Sequence, residues 1–429
     1  MESKHERRKG VKIYLVGGAV RDEVMGIEPK DRDYVVVGST HEEMISLGFT
    51  QVGAAFPVYL EPNTKEEYAL ARTERSTGSG YHDFEVVFNE HVTIEEDLAR
   101  RDLTINAIAK DMETGEYIDP FGGIFDIERG KLVAVGEKTF VEDPLRIYRL
   151  ARLFARHADR FTISWRTIKQ CEEAKGNLSA LPKERKVAEL KKCFEDTSPS
   201  NVPSKMIEFL TQMGEFPELE ALKGIPQPEK HHAEGDPFIH TMMVIEEAHK
   251  LAQGDSRVVW SALCHDLGKV CYNTFGNLHG HEQYGVPIVK KLCERFGVPN
   301  TWRDLSLVVT EYHGRMHKVL DMKPKKVYDL IRNVRGEKDP VFAEAFAKAC
   351  LADALGRIPA RNGNYPQHAA FNACLKEMKD NAREISFSSV AIAERFPGRP
   401  DLIRDSIKNL KTGYVARALR SVKAEINNV

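Results

Sequence analysis

Lys12-Ile-Tyr-Leu-Val-Gly-Gly-Ala-Val-Arg-Asp22, followed by Lys30-Asp-Arg-Asp-Tyr-Val-Val-Val37, is the stretch on which the fold of this chain turns. Ile13 to Val16 form a short apolar run that stops at Gly17-Gly18 and restarts with helical spacing. That pattern predicts a strand, a tight turn and a helix N-terminus. Glycines at such a turn let backbone amides face outward, where they and the helix dipole can hold a phosphate. Asp31 and Asp33 open a second apolar run, Tyr34 to Val37. Period-2 geometry puts both carboxylates on one face of that strand and Arg32 on the other. A phosphate cradle beside paired carboxylates suits metal-assisted phosphoryl transfer, in which two Mg²⁺ ions activate a hydroxyl and neutralise a triphosphate.

Taken singly, a Gly-Gly before a helix is a plain turn and an Asp-x-Asp is a solvated strand end. Their order and close spacing resemble the nucleotidyltransferase signature of the polymerase β superfamily.

A chain of 429 residues has core enough for two to four domains. Lysine and arginine number 62 against 64 acidic residues, a net charge of −2, so any RNA contact must come from local patches. No apolar run reaches membrane-spanning length, which predicts no membrane partner. Met1 to Lys9 is charged and without an apolar core, and reads as a frayed tail rather than a signal peptide. The seven scattered cysteines include no Cys-x-x-Cys pair and point to free thiols in a reducing cytoplasm.

In the head, apolar segments at Phe56 to Leu60, Glu67 to Arg72, Phe84 to Phe88 and Tyr117 to Ile118 suggest a mixed sheet. Ser76 to Tyr81 is small and flexible, a hairpin tip or a mobile loop over a site. Glu95-Glu-Asp-Leu-Ala-Arg-Arg-Asp-Leu-Thr-Ile-Asn-Ala-Ile-Ala109 places Arg100, Arg101 and Asp102 beside a helical run carrying Asn106. Arg101 has the fork to hold a triphosphate, and Asp102 can accept a ribose hydroxyl. Further on, Asp143 and Pro144 read as the N-cap and first residue of a helix. Arg146, Arg149, Arg152 and Arg156 line one stripe of it, opposite Ile147, Leu150, Leu153 and Phe154. Periodicity alone reads this as an amphipathic helix with a wet basic side.

LVGGAVRD, KDRDYVV, RRDLTINA and EDPLR, in this order, resemble the bacterial CCA-adding tRNA nucleotidyltransferases of class II. The resemblance covers the first ~160 residues and rests on four motifs together. It implies an enzyme that adds C, C and A to the tRNA 3′ end from CTP and ATP without a nucleic-acid template. By motif, Asp31 and Asp33 would bind Mg²⁺, and Gly18, Arg21 and Arg101 would hold the nucleotide. Asp143, Arg146, Arg149 and Arg152 would serve as the protein's own template. Cytosine and adenine both present an amino donor beside a ring-nitrogen acceptor, and uracil and guanine reverse that edge. A carboxylate paired with an arginine would therefore select the first two.

Residues 164 to 222 are helical and amphipathic, with breaks near Gly176-Asn177 and Ser198-Pro199, and 223–237 read as a linker. Pro182 to Leu190 resembles the family's neck motif and reads as bracing. Phe238-Ile-His240 opens an apolar helix, Ala262-Leu-Cys-His-Asp-Leu-Gly-Lys269 carries His265-Asp266, and His279-Gly-His281-Glu282 and Tyr312-His313 follow. This constellation resembles the HD phosphohydrolase superfamily, which implies metal ligands at His240, His265 and Asp266. Asp353 is the expected last ligand, with Asp321 as its rival. Lys269, His279 and His281 are candidate phosphate contacts. The implied ion is a divalent transition metal such as Ni²⁺, and the implied chemistry is phosphodiesterase, 2′-nucleotidase and phosphatase activity. Basic residues from Lys408 to Lys423 are either a solvated surface or a tRNA backbone contact.

The expected fold is thus an α/β head of polymerase β type over residues 1–142, followed by all-α regions. These are a neck over 143–227, an HD domain over 228–345 and a tail over 346–429, in a monomer or homodimer. Competing functions are a poly(A) polymerase, which shares the head motifs but lacks an HD domain, and an HD hydrolase with a non-catalytic RNA-binding head.

Overall fold

The computed structural model describes residues 10–52, 58–76, 84–227, 233–358 and 365–427. The expected Met1 to Lys9 tail, Phe56, most of the Ser76 to Tyr81 tip, and His231 and His232 of the linker lie outside them. The chain divides between Lys186 and Val187 into two compact units, within the helix Lys183–Glu195. The expected 142/143 boundary falls inside the first unit, and that at 345/346 falls inside the helix Pro340–Leu355.

The first unit is built on a mixed sheet. Its strands are β1 (Lys12–Val16), β2 (Asp33–Val37), β3 (Thr50–Val52), β4 (Val58–Leu60), β5 (Glu67–Leu70), β8 (Ala109–Asp111) and β9 (Tyr117–Ile118), in the order β3-β4-β5-β2-β1-β8-β9. β6 (Arg72–Ser76) and β7 (Phe84–Phe88) form a separate antiparallel ribbon. β1 and β2 are antiparallel with Val16 opposite Asp33, and β2 and β5 are parallel with Asp33 opposite Glu67. Tyr14, Val16 and Val35 join Leu98 and Ala107 in one core cluster, while Val36 joins Met44, Tyr59 and Leu70 in another. Both faces are covered, which is why these central strands read as unbroken apolar runs.

The 100–107 stretch departs from its expected helix. The helix Ile94–Ala99 stops before it, and only Thr104–Asn106 form a single 3-10 turn. Leu103 is extended and bridges Ala134, and Thr104 N donates to the Val133 carbonyl at 2.9 Å. Pairing with a distant segment takes the backbone bonds that a helix would have used.

The helix Leu145–Arg156 is amphipathic as its spacing predicts: Ile147, Leu150 and Leu153 are buried, and Arg146, Arg149, Arg152 and Arg156 are not. Burying each of those three side chains contributes about 1.5–3 kcal/mol. At its start the Asp143 carboxylate accepts from the Leu145 amide at 3.1 Å.

Every regular element among the described residues of the second unit is a helix. Helices Pro203–Gln212, Pro237–Ala252, Pro324–Asn333, Pro340–Leu355 and Pro366–Asp380 all begin on proline, where the missing N–H costs nothing. Trp260 packs on Phe296 and Trp302 at its centre. All seven cysteines are free and buried. Among the described residues no helix is long and apolar enough to cross a membrane.

Candidate active sites

The first site forms where β1 ends. Gly17 turns the chain at φ 69°, and the helix Gly18–Val24 begins at once. A Cβ on Gly17 would stand 2.9 Å from Nη1 of Arg101, so the turn lies directly against that guanidinium. Arg101 donates from Nη2 to Asp97 Oδ2 at 3.1 Å and from Nη1 to the Asn106 carbonyl at 3.3 Å, while its buried Nε has no hydrogen-bond partner. Fully buried Asp97 also takes Arg100 at 2.7 Å and the Arg72 amide at 3.3 Å. Burial opposes its charge, but the two arginines outweigh it and hold the carboxyl below the ordinary range.

Asp33 opens β2 and keeps an exposed face; loss of surrounding water, then Glu67 and Asp31, raise its carboxyl above the ordinary range against the pull of Arg101. Asp31 lies in the turn before the strand, so the strand-face geometry expected for both carboxylates applies to Asp33 alone. No three acidic, histidine or cysteine ligand atoms of the described head come within 4.8 Å of one another. Two carboxylates suffice for Mg²⁺, which completes its shell with water and substrate phosphates. The repulsion at Asp33 fits a site that takes a cation.

Arg21, expected to hold nucleotide, is buried and bonded within the protein. Nη2 and Nε meet Asp22 Oδ1 at 2.6 and 2.9 Å, and Nη1 meets Asn106 Oδ1 at 2.9 Å. It braces the Gly18 helix against the 100–107 stretch. Asp102 is buried and accepts from the Leu103 amide (2.9 Å), Asn106 (3.0 Å) and Arg149 Nε (2.8 Å). Burial opposes ionisation there, but Arg149 and Asn106 hold the carboxyl far below the usual range. Arg146 donates to the carbonyls of Arg100 (2.7 Å) and Thr139 (3.2 Å) and lies 3.9 Å from Asp143. Arg146 and Arg149 therefore join the first half of the arginine stripe to the 100–107 stretch.

The second site lies wholly in the helical unit. His240, His265 and Asp353 bring three ligand atoms together, and Asp266, His281 and His313 bring three more. Nε2 of His240 is 3.1 Å from Asp353 Oδ1 and 3.8 Å from Asp266 Oδ2, and Nε2 of His265 is 3.1 Å from Asp266 Oδ2. Asp266 Oδ1 faces the other way, 3.3 Å from His281 Nε2 and 3.5 Å from His313 Nε2. Each of these four rings has its Nδ1 within 3.1 Å of a backbone carbonyl, at Gly356, Ala262, Leu278 and Val309. A neutral ring then carries its proton on Nδ1 and offers a lone pair at Nε2. His265 Nε2 and Asp266 Oδ1 are buried with no hydrogen-bond partner. Two unpartnered lone pairs, one on His265 Nε2 and one on Asp266 Oδ1, among clustered imidazoles and carboxylates are what a divalent ion satisfies, so the residues fit one.

Gly268 makes the convergence possible. A Cβ there would overlap the His281 carbonyl oxygen at 1.9 Å, so only glycine lets the turn after Asp266 abut the helix His281–Phe296. Lys269 Nζ lies 2.7 Å from Asp266 Oδ2 and donates to Gln227. Burial disfavours a charged Asp266, yet Lys269 and His265 hold it well below the ordinary carboxylate range. Burial likewise opposes a charged His240, and hydrogen bonds to Asp353 and Glu234 outweigh it and raise the imidazole, so the ion-free ring tends to keep a proton on Nε2 that a bound cation would displace.

The structure brings His240, His265, Asp266 and Asp353 together, with His281 and Lys269 beside them. Asp321 and His279 are exposed and in neither group. Sequence reading missed Asp97, His313 as a group member, Glu234, His317 and Arg357. Asp97 was legible from its three- and four-residue spacing to Arg100 and Arg101, and His313 and His317 are likewise four apart. Glu234 carries no local signal.

The Poly A polymerase head domain family matches residues 13–133, and the HD domain family matches residues 238–354. The Multifunctional CCA protein of Shewanella denitrificans is 43% identical over 378 residues, 86% of this chain and 90% of the relative. That of Mannheimia succiniciproducens is 39% identical over 429 residues, 97% of this chain and 98% of its own. Among solved structures, the apo form II of a CCA-adding enzyme superposes with a TM-score of 0.67 at 20% identity, covering 97% of this chain and 92% of that one. The Thermotoga maritima CCA-adding enzyme complexed with tRNA gives 0.59 at 19% identity, over 97% and 92%. The structures share the fold, and the identity shared with the curated relatives over nearly the whole length makes this chain a member of the multifunctional CCA protein family.

Proposed function

We propose that the head adds C, C and A to the 3′ end of tRNA from CTP and ATP without a nucleic-acid template. The helical unit then hydrolyses phosphate esters, including 2′,3′-cyclic ends, as phosphodiesterase, 2′-nucleotidase and phosphatase. The observation that carries this reading is the presence of two separate acid-rich centres in a chain of this family. One lies beside a glycine turn and a buried arginine, the other is a histidine–aspartate cluster with orphaned ligand atoms.

In the head, Asp31 and Asp33 would hold Mg²⁺, which when bound would supply charge neutralisation for the triphosphate and acidify the attacking tRNA hydroxyl. Arg101 binds triphosphate oxygens beside the Gly17-Gly18 amides. Asp102, kept ionised by Arg149, accepts the ribose hydroxyl. Asp143, with Arg146, Arg149 and Arg152, reads the base edge, and Arg21 holds the Gly18 helix in place. In the helical unit His240, His265, Asp266 and Asp353 hold a divalent transition metal, Ni²⁺ among the candidates, and Lys269 steadies substrate phosphate. When bound, the ion would supply a Lewis acid and an activated water. Free buried thiols and the tRNA substrate agree with a cytoplasmic location.

A single preparation tests both halves, using tRNA shortened by three nucleotides with labelled CTP and ATP, and a 2′,3′-cyclic nucleotide. Asp31→Ala and Asp33→Ala should stop addition and spare hydrolysis, and His265→Ala should do the reverse. Loss of both activities in any folded variant would contradict two separate centres.

A further inference from the structure

The two oxygens of the Asp353 carboxylate have different surroundings. Oδ1 faces the candidate ion group, 3.1 Å from His240 Nε2 and 3.9 Å from His265 Nε2. Oδ2 is 2.5 Å from Nε2 of His317, which belongs to neither ligand group. The far nitrogen of that ring, Nδ1, is 2.7 Å from the hydroxyl of Tyr365. A carboxylate only accepts, so a neutral His317 carries its proton on Nε2, and Nδ1 must accept from the Tyr365 O–H. The result is a directional chain of two hydrogen bonds ending on Asp353. Its members come from three places in the fold: the C-cap of helix Asn300–Met316, the helix Pro340–Leu355, and the residue preceding helix Pro366–Asp380.

Arg357 shows why such a chain matters. Its Nη2 lies 2.7 Å from Asp353 Oδ1 and 3.4 Å from His317 Nε2. A guanidinium beside a carboxylate tends to take both oxygens at once. If Asp353 turned to give Arg357 both, it would withdraw Oδ1 from His240 and His265. His317, by claiming Oδ2, prevents that rotation.

We propose that Tyr365 and His317 are positioning residues for Asp353, fixing one carboxylate oxygen so that the other stays presented to the ion held with His240, His265 and Asp266. The proposal rests on reading this group as a metal centre, and it assigns the pair no contact with substrate.

The test is Co²⁺ binding to the full-length protein, followed by calorimetric titration and by the visible spectrum of the bound ion. Wild type is compared with His317→Ala, His317→Gln and Tyr365→Phe, and a denaturant melt of each protein serves as the check on folding. His317→Ala should weaken Co²⁺ binding about 10–100-fold, the usual effect of losing a hydrogen-bond partner of a metal ligand, and should alter the spectrum. His317→Gln keeps an N–H donor and should recover most of the loss, with Tyr365→Phe falling between the two. Unchanged affinity and spectrum in His317→Ala would overturn the proposal. Equal losses in the alanine and glutamine variants would do so too, because donation would then not be what counts. A wild type that binds no Co²⁺ overturns both this proposal and the metal-centre reading. A wild type that binds Co²⁺ yet neither opens a 2′,3′-cyclic nucleotide nor releases phosphate from a 2′-nucleotide refutes only the hydrolase reading.

Discussion

Gly17 and Arg101 touch: the first carbon of any side chain at position 17 would stand 2.9 Å from Nη1 of Arg101. The turn thereby sets how far the guanidinium projects, with Asp97 holding its other side. Gly17→Ala has two expected consequences. At φ 69° and ψ −132°, outside the left-handed α well, an L-residue costs about 1–3 kcal/mol of stability, and the new methyl pushes Arg101 aside. KM for CTP and ATP should rise about tenfold, a loss near 1.4 kcal/mol of binding, with a smaller fall in kcat. Nucleotide titrations beside a thermal melt separate the two effects. An unmoved KM in a destabilised protein would remove Arg101 from the triphosphate site.

Glu67 pairs in register with Asp33 across β2 and β5, and its charge raises the Asp33 carboxyl. That proximity makes Glu67 a candidate further carboxylate beside Asp31 and Asp33. Glu67→Gln should lower addition about 10–100-fold at neutral pH and raise the Mg²⁺ concentration needed for half-maximal rate. If Glu67 were only a neighbour, the outcome would differ in kind. Asp33 would ionise more easily, the acid limb of the rate profile would move to lower pH, and the plateau rate would hold.

Base choice is expected to depend on Asp143. Its Oδ1 accepts from the Leu145 amide, although Pro144 and not Asp143 is the helix N-cap, and Oδ2 lies 3.9 Å from Arg146 Nε, an arrangement that fixes the carboxylate at the head of the arginine stripe. Asp143→Ala should narrow the preference for CTP and ATP over UTP and GTP by about 100-fold, with a smaller fall in the rate with CTP. All four nucleotides on shortened tRNA, assayed singly, measure this. Intact discrimination would exclude Asp143 from the base-reading surface.

How much of this was written locally in the chain varies with the kind of signal. The Gly17-Gly18 turn, the β2 run and the Leu145–Arg156 helix follow from spacing and composition, because each is decided by neighbours within a few residues. The His240, His265, Asp266 and Asp353 group was legible only by resemblance to a family. No periodicity relates residues 113 apart in sequence that nonetheless lie 3.1 Å apart. The helix expected around Asn106 failed because Leu103 and Thr104 bond to Ala134 and Val133, a tertiary pairing that local propensity cannot register. Arg21 illustrates a third case: its motif was plain, but its bonds to Asp22 and Asn106 were visible only in three dimensions.

His157 should make the head acid-labile. The ring is buried beside Phe161 with Nε2 lacking a hydrogen-bond partner, and Arg21 and Arg156 are close enough to oppose a charge. Burial first, and those arginines next, depress the imidazole from its ordinary 6.5 to about 4. Only the unfolded chain takes a proton between those values, so folding stability is constant above pH 6.5 and falls as pH drops toward 4. The full loss from this group is about 3 kcal/mol. Acidic carboxylates such as Asp102 add to acid sensitivity only below about pH 4, where the unfolded chain begins to protonate them. Denaturant melts of wild type and His157→Gln between pH 7.5 and 4.5 isolate the histidine contribution. The variant should lose some stability at neutral pH but show a shallower decline over that window. Parallel curves for the two proteins would show that His157 protonates as readily folded as unfolded.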